Sequence, residues 1–368
     1  MAVTGCDGRF TVANAWSILR EICVAVGLDD RDAEVIKIAA NAVFRLPRAR
    51  LVIRISGSQA MAHRAHKVVQ VARWMARHEV PAVRLAPGLP APLLLGSVVA
   101  TLWIDAQAEP RPAEPPGRHV QENQPLPGAR GPTAHAATTR GSAARGATAR
   151  GSTALGSTAH VSTSRASTAG ERVVHSGPPT VSDLAAALQR IHALPLPDAA
   201  LPHWDPLDDV RRRLADAEGL ADPDFAFLRR MADRLEVALE RVTYDLPAGI
   251  LHGDAHLGNL IRCHDGRVIV CDFDSTCYGP TEWDLIPVAV GRLRFGYPPE
   301  QHAVLASEYG FDVTRWSGFE VLRALRELKL VTSVVPILAS NPRVAAQFAI
   351  RLASLRYADE SVRWLPYS

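Results

Sequence analysis

The spacing of apolar residues predicts a mixed first hundred residues followed by a mainly helical second half. Apolar side chains recur at helical intervals across 12–26 and 62–78. Strands are predicted where short apolar runs alternate with polar residues or flank a turn: 35–38, 43–46, 51–55, 93–95 and 98–103. Beyond residue 180 the pattern is helical, apart from short apolar runs between 249 and 270. We therefore expect an α+β protein with a small antiparallel sheet and a larger helical part.

One apolar stretch is long enough to raise the question of a membrane span. Residues 85–104 carry no charge over twenty positions, which is the length of a spanning helix. Pro87, Pro90 and Pro92 lie in its first half, and prolines this dense break a helix. Gly96-Ser97 then separates two apolar runs, which is typical of a hairpin. We predict two buried strands here and no membrane partner.

The segment 106–177 has low sequence complexity. It is rich in proline over 109–128 and falls into five-residue units over 140–169, such as RGSAA, RGATA and RGSTA. Because it lacks apolar periodicity, it cannot bury enough surface to offset the entropy lost on ordering. We predict a disordered insertion at 106–177 between two lobes, 1–105 and 178–368.

Charge and cysteine content exclude several classes of protein. The net charge is +3, but the insertion alone holds eight arginines and four glutamates, so 33 basic and 34 acidic residues remain elsewhere. A nucleic-acid-binding face is therefore not indicated. The five cysteines are an odd number and lack paired Cys-x-x-Cys spacing. Reduced thiols in a cytoplasm are expected, rather than disulfides or a zinc site.

Three polar residues in the second half have the spacing of a phosphoryl-transfer site. Asn259 follows Asp254 by five residues, and Asp272 follows it by eighteen. Such a site needs a base for the acceptor hydroxyl and hard oxygen ligands for Mg²⁺ on the phosphates. Asp254 suits the first role, and Asn259 with Asp272 suits the second. Two short strands joined by a turn at 264–267 would bring Asp272 back beside Asn259.

The motifs around these residues resemble those of the aminoglycoside phosphotransferase family, small-molecule kinases with a protein-kinase-like bilobal fold. They are HGDAHLGNL at 252–260, CDFD at 271–274 and GPTEWDL at 279–285. The resemblance implies that Asp254 is the catalytic base and that Asn259 and Asp272 bind Mg²⁺. It implies supporting roles for His252, Asp274 and Asp284. For Asp284, a brace for the catalytic loop and a simple helix cap are equally compatible with the sequence.

The resemblance is weaker over the small lobe. Arg54 occupies the strand position where the family usually has a phosphate-binding lysine, and Leu102, Trp103 and Ile104 lie at the expected adenine-binding hinge. No glycine-rich phosphate loop is present near 39–42, and no acidic residue occurs over 59–78 to pair with Arg54. Either Arg54 needs no such partner, another carboxylate supplies it, or catalysis is impaired.

The leading hypothesis is an ATP- and Mg²⁺-dependent kinase that phosphorylates a hydroxyl of a small molecule, cationic antibiotics and metabolites included. The alternative is a nucleotide-binding pseudokinase that uses the insertion as an interaction arm. A metallophosphoesterase shares only the fragment GDAH at 253–256 and would need an upstream Asp-x-His motif that is absent. Glu320, Glu327 and Asp284 are candidate acidic contacts to the acceptor. The acceptor and the oligomeric state stay open.

Overall fold

The computed structural model describes residues 12–38, 41–56, 59–108, 177–197, 201–339 and 342–367. Most of the predicted insertion, 109–176, lies outside these ranges, as do residues 39–40 of the expected phosphate loop. The boundaries of the lobes and the disorder of the insertion therefore stay predictions.

The first hundred residues form a five-stranded antiparallel sheet with two helices. Their bounds are α1 Val12–Val26, β1 Glu34–Ile38, β2 Asn41–Leu46, β3 Leu51–Ser56, α2 Gln59–Arg77, β4 Leu93–Leu95 and β5 Val98–Ile104. The strand order is β1-β2-β3-β5-β4, so neighbouring strands are joined by hairpins except where α2 intervenes. The apolar stretch 85–104 supplies β4 and β5, which confirms the predicted hairpin. No helix in the described parts of the chain is long and apolar enough to cross a membrane.

The alternation of β3 decides where Arg54 points. Ile53 and Ile55 are fully buried in a cluster with Leu19 and Ile22 of α1. Because successive side chains of a strand face opposite sides, Arg54 points away from α1. It therefore faces the second half of the chain, which carries the polar motifs.

The second half is a helical lobe with two small two-stranded sheets at its centre. Its helices are α3 Val181–His192, α4 Asp208–Ala215, α5 Asp222–Leu239, α6 Ile286–Phe295, α7 Pro299–Tyr309, α8 Phe319–Thr332 and α9 Pro342–Arg356. The strands are β6 Ala248–Leu251, β7 Leu260–Arg262, β8 Val268–Val270 and β9 Cys277–Pro280. β6 pairs with β9, and β7 pairs with β8, both antiparallel. The expected architecture of a sheet lobe and a helical lobe is confirmed.

Helix α8 carries a buried ion-pair network. Glu327 accepts hydrogen bonds from Arg294 Nε at 2.8 Å and from Arg323 Nε at 3.2 Å, and all three residues are buried. Glu320, one turn earlier on α8, pairs with Arg323 but keeps 72% of its side chain exposed. Glu327 is therefore committed to two arginines within the lobe, which does not fit a contact to the acceptor.

We expect Glu327→Ala to lower the free energy of unfolding by about 3–5 kcal/mol, because it leaves buried guanidinium groups without their carboxylate. The matched change Glu320→Ala should cost no more than about 1 kcal/mol, since that glutamate is solvated. Urea unfolding of both variants measures the difference. Equal effects at the two positions would show that burial of the network does not contribute to the free energy of unfolding.

Candidate active site

A buried carboxylate fixes the loop that follows β6. Asp284 is fully buried, and its two carboxylate oxygens accept hydrogen bonds from His252 N at 2.7 Å and Gly253 N at 2.8 Å. His192 Nε2 lies 3.1 Å from the same carboxylate. The start of α6 has no side-chain cap. Of the two alternatives for Asp284, the loop brace therefore fits its contacts and the helix cap does not.

The backbone of this loop is held closely against the segment after Asp272. Gly253 has φ +84°, and a Cβ there would collide with the backbone of Ser275, so the position requires glycine. Trp283 Nε1 donates to Gly253 O at 3.0 Å. His252 Nδ1 accepts from Asp254 N at 3.3 Å, so Nε2 carries the proton that it donates to Cys271 O at 2.9 Å. These contacts leave the loop little freedom.

The hairpin β7–β8 brings Asn259 and Asp272 together. Leu260 pairs with Val270 in the ladder, and Cys271 N donates to Asn259 O at 2.9 Å. Asp272, the next residue, adopts a left-handed backbone with φ +65°. The predicted return of the chain is therefore present, and Asp272 follows directly after the residue paired with Asn259.

The oxygen atoms of Asn259 and Asp272 fit a divalent cation that shares its coordination with phosphates. Asn259 Nδ2 donates to Asp254 O at 2.9 Å, which leaves its carbonyl oxygen as the free donor atom. Burial raises the pKa of Asp272, and the charges of Asp274 and Asp254 raise it further against the effect of Arg54. A cation would relieve that repulsion. In the described residues, no group of three or more His, Cys, Asp or Glu side chains could hold a metal. Mg²⁺ bound with a nucleotide needs only one or two protein carboxylates.

Asp254 pairs with an arginine from α8. Arg326 Nη1 lies 2.7 Å from Asp254 Oδ1, although that oxygen accepts no well-aligned hydrogen bond from the described residues. His256 Nε2 lies 3.7 Å from the other carboxylate oxygen. Burial alone would raise the pKa of Asp254, but Arg326 and His256 together hold it well below its usual value. The carboxylate is therefore ionised at neutral pH.

Arg54 is paired with a carboxylate from the second half of the chain. Its guanidinium makes a bidentate hydrogen-bonded pair with Asp274, in which Nη1 lies 3.0 Å from Oδ1. Its Nη2 also lies 3.9 Å from Asp272 Oδ1. Burial lowers the pKa of Arg54, but the hydrogen bonds to Asp274 together with the charges of Asp274 and Asp272 outweigh it and raise the pKa overall. Of the alternatives for Arg54, the geometry supports a partner carboxylate outside α2.

The expected hinge residues lie at the end of β5, between β3 and the segment 84–86. Leu102 O accepts from Ala86 N at 2.9 Å, and Ile104 N donates to Arg84 O at 2.8 Å. Trp103 is buried and its indole nitrogen donates to Thr101 Oγ1 at 2.9 Å. The carbonyl of Leu102 and the N–H of Ile104, which could have bound an adenine, are thus already hydrogen-bonded within the protein.

Three residues of the site were missed by sequence reasoning. Lys67 of α2 donates to Asp274 O at 2.5 Å and to Thr276 O at 3.1 Å. His192 bridges Asp284 to Tyr309, whose hydroxyl lies 2.6 Å from His192 Nδ1. Together with Arg326, these residues come from helices distant in sequence. Only Lys67 gave a signal in the sequence, as a lysine in a predicted helix that contains no acidic residue.

Comparisons with known proteins agree with this geometry. Residues 178–325 match the family model described as the phosphotransferase enzyme family (APH). No curated protein sequence matches the chain significantly.

Several solved structures share the fold. The amicoumacin kinase hAmiN, in complex with AMP-PNP and Ca²⁺, is 12% identical, with 96% of each chain covered and a TM-score of 0.55. The aminoglycoside phosphotransferase APH(3'')-Id of Streptomyces rimosus is 13% identical, with 87% of this chain and 99% of that chain covered and a TM-score of 0.53. The choline kinase LicA of Streptococcus pneumoniae is 11% identical, with 94% and 99% covered and a TM-score of 0.50.

The fold and the matched segment define a kinase-like phosphotransferase. Residues 178–325 are similar to the phosphotransferase enzyme family, in agreement with the resemblance predicted from the motifs, and this match supports the enzyme class of a small-molecule kinase.

We expect Asp284→Asn to lower the free energy of unfolding by about 3 kcal/mol, because an amide cannot replace both carboxylate oxygens as acceptors for the two loop N–H groups. Asp233→Asn, on the exposed face of α5, should change it by less than about 0.5 kcal/mol. Urea unfolding of the two variants tests this. A small effect of Asp284→Asn would mean that the loop does not depend on this carboxylate.

Proposed function

We propose that the protein transfers the γ-phosphoryl group of ATP to a hydroxyl of a small molecule, with Asp254 as the catalytic base. The observation that carries the proposal is the hydrogen-bonded frame in which Asn259 Nδ2 binds Asp254 O and Asp284 holds the preceding loop residues. Phosphoryl transfer depends almost entirely on positioning and charge compensation. A loop fixed by buried hydrogen bonds supports the first of these requirements.

Asp254 is suited to receive the proton of the acceptor hydroxyl. Its carboxylate is ionised, and Arg326 fixes one oxygen at 2.7 Å. The other oxygen has only the distant His256 Nε2 at 3.7 Å beside it. A hydroxyl within hydrogen-bonding distance of that second oxygen could be oriented and deprotonated as transfer proceeds.

Asn259 and Asp272 would hold Mg²⁺, and Arg54 would approach the phosphates from the sheet lobe. Bound Mg²⁺ supplies charge neutralisation on the phosphate oxygens. A guanidinium can bind phosphate with two parallel hydrogen bonds, and Asp274 already orients that of Arg54. Leu102, Trp103 and Ile104 would border the adenine. The amicoumacin kinase structure is a complex with AMP-PNP, which supports a nucleotide as the phosphoryl donor.

One observation favours a second candidate, a nucleotide-binding protein without transferase activity. Both charged groups expected to act on substrates are engaged internally, Arg54 by Asp274 and Asp254 by Arg326. If these pairs persist with nucleotide bound, the base is blocked and the protein only binds ATP.

We expect Asp254→Asn to lower phosphorylation of a hydroxyl acceptor by about 10²–10⁴-fold, the usual loss when a general base is removed. Thermal stabilisation by Mg-ATP should persist, because the carboxylate is not needed for nucleotide binding. Asp265→Asn, in the exposed turn between β7 and β8, is the control and should retain activity. An acceptor panel assayed by ATP consumption provides the measurement. Stabilisation by Mg-ATP without transfer to any acceptor would favour the second candidate.

Asp272→Asn should raise the Mg²⁺ concentration for half-maximal activity by about tenfold or more, because it removes the proposed carboxylate ligand. Chelation of Mg²⁺ with EDTA should abolish activity of the wild type, and added Mg²⁺ should restore it. Titration of Mg²⁺ at fixed ATP gives the half-saturation value. An unchanged value in Asp272→Asn would exclude this residue as a ligand.

A further inference from the structure

A cavity of about 250 Å³ opens beside the loop that carries Asp254. Its wall includes Gly253 and Ser275 from the centre of the helical lobe, together with Arg64 of α2, Asp209 of α4, and Trp283 and Lys329. Gly253 is the residue before Asp254, so the cavity reaches the loop that carries the proposed base. The cavity is below the roughly 300–1,000 Å³ of pockets for drug-sized ligands, which favours a small acceptor.

Basic side chains outnumber carboxylates between this cavity and Asp254. Four of them are cationic and two are carboxylates: Arg64, Arg213, Arg326 and Lys329 against Asp209 and Asp254. Asp209 contacts Arg64 and lies 3.3 Å from Lys329 Nζ. Asp254 contacts Arg326. Arg213 forms no salt bridge within the described residues, and its guanidinium donates to the carbonyl of Lys329 at 3.1 Å.

The charges at the rim of the cavity do not remove this excess. Asp208 is paired with Arg212 on the same helix. Asp205 caps the start of α4, where it accepts from Leu207 N and Asp208 N. Lys67 has carbonyl oxygens as its hydrogen-bond acceptors. With these groups and Asp274, which also lines the cavity, included, six basic side chains face five carboxylates. Asp274 is paired with Arg54, so the positive excess persists.

Two of the buried cations have unused hydrogen-bonding capacity. Arg326 is only 8% exposed, and its Nε is buried without a partner in the described residues. Lys329 Nζ has contacts at 3.3 Å to Asp209 and 3.4 Å to Pro206 O, longer than the usual range for N–H···O bonds. Burial lowers the pKa of Lys329 against the opposing effect of Asp209, and the nearby Arg213 and Arg326 lower it further. An incoming anion would relieve this crowding of cations.

We propose that the acceptor carries an anionic group, a carboxylate or a phosphate, beside the hydroxyl that is phosphorylated, and that Lys329 and Arg64 bind this group in the cavity. The proposal rests on the proposed function and specifies its substrate class. Arg213 and Arg326 add to the positive potential beside the same position. Aminoglycosides and choline are cations at neutral pH, and this potential disfavours them.

The first experiment measures anion binding without catalysis. Thermal unfolding is followed with saturating Mg²⁺ and AMP-PNP while sodium sulfate or choline chloride is added at constant ionic strength. Sulfate should raise the midpoint more in the wild type than in Lys329→Gln, and choline should not. Lys37→Gln, an exposed lysine on β1, is the matched control and should behave as the wild type, which removes the general stabilising effect of sulfate. Equal responses in all three proteins would overturn the proposal.

The second experiment measures acceptor preference with matched pairs, glycerate with glycerol and glucose 6-phosphate with glucose, and with kanamycin and choline as cationic acceptors. The anionic member of a pair should have the higher kcat/KM. Lys329→Gln should lower that value about 10- to 100-fold, the loss expected for one hydrogen bond to a charged group. The KM for ATP should stay unchanged. Preference for kanamycin or choline, or a raised KM for ATP in Lys329→Gln, would overturn the assignment.

The two experiments separate this proposal from the proposed function. A sulfate response that depends on Lys329, with no phosphorylation of any acceptor, would contradict the transferase function and support the anion site. Phosphorylation that depends on Asp254 but is strongest for cationic acceptors would support the transferase function and contradict the anion site.

Discussion

The buried carboxylate of Asp284 is the contact on which the rest of the site depends. Removing such a charge from water costs several kcal/mol unless its oxygens are fully used. Here they accept two backbone N–H groups of the loop, and His192 lies beside them. The same contacts that stabilise the charge fix the loop, so the position of Asp254 follows from the burial of Asp284. Gly253 allows this arrangement because no side chain fits against Ser275.

The ion pairs across the cleft explain the departures in the sheet lobe. Helix α2 has no carboxylate for Arg54, and Asp274 supplies one from the segment after Asp272. In return α2 contributes a cation, because Lys67 donates to the carbonyls of Asp274 and Thr276. The cation of the pair lies on β3 as expected, whereas its carboxylate comes from the segment after Asp272 and not from α2. The segment that carries Asp272 is therefore held from the sheet lobe by two cations instead of by one lysine–glutamate pair.

Local features of the site and the fold were predictable, whereas contacts between distant helices were not. The bounds of α1 and the strands follow from apolar periods of 3.6 and 2. The approach of Asp272 to Asn259 follows from a hairpin of a dozen residues. The pairing of Asp254 with Arg326 joins residues 72 positions apart. An amphipathic pattern shows which face of α8 is buried but not which loop its polar residues meet, so that contact needed the structure.

Most charged side chains of the cavity lie outside the sequence motif, which explains why the motif carries no information on the proposed acceptor. Asp254, Asn259 and Asp272 lie within nineteen consecutive residues. The two small sheets, β6-β9 and β7-β8, determine their positions. Six of the eight charged side chains that line the cavity come from α2, α4 and α8, three elements outside the two small sheets. Substitutions on those helices can change the charge of the acceptor site while the phosphoryl-transfer frame stays intact. Proteins of this fold are named as kinases or phosphotransferases of amicoumacin, an aminoglycoside or choline, so the fold alone does not identify the acceptor.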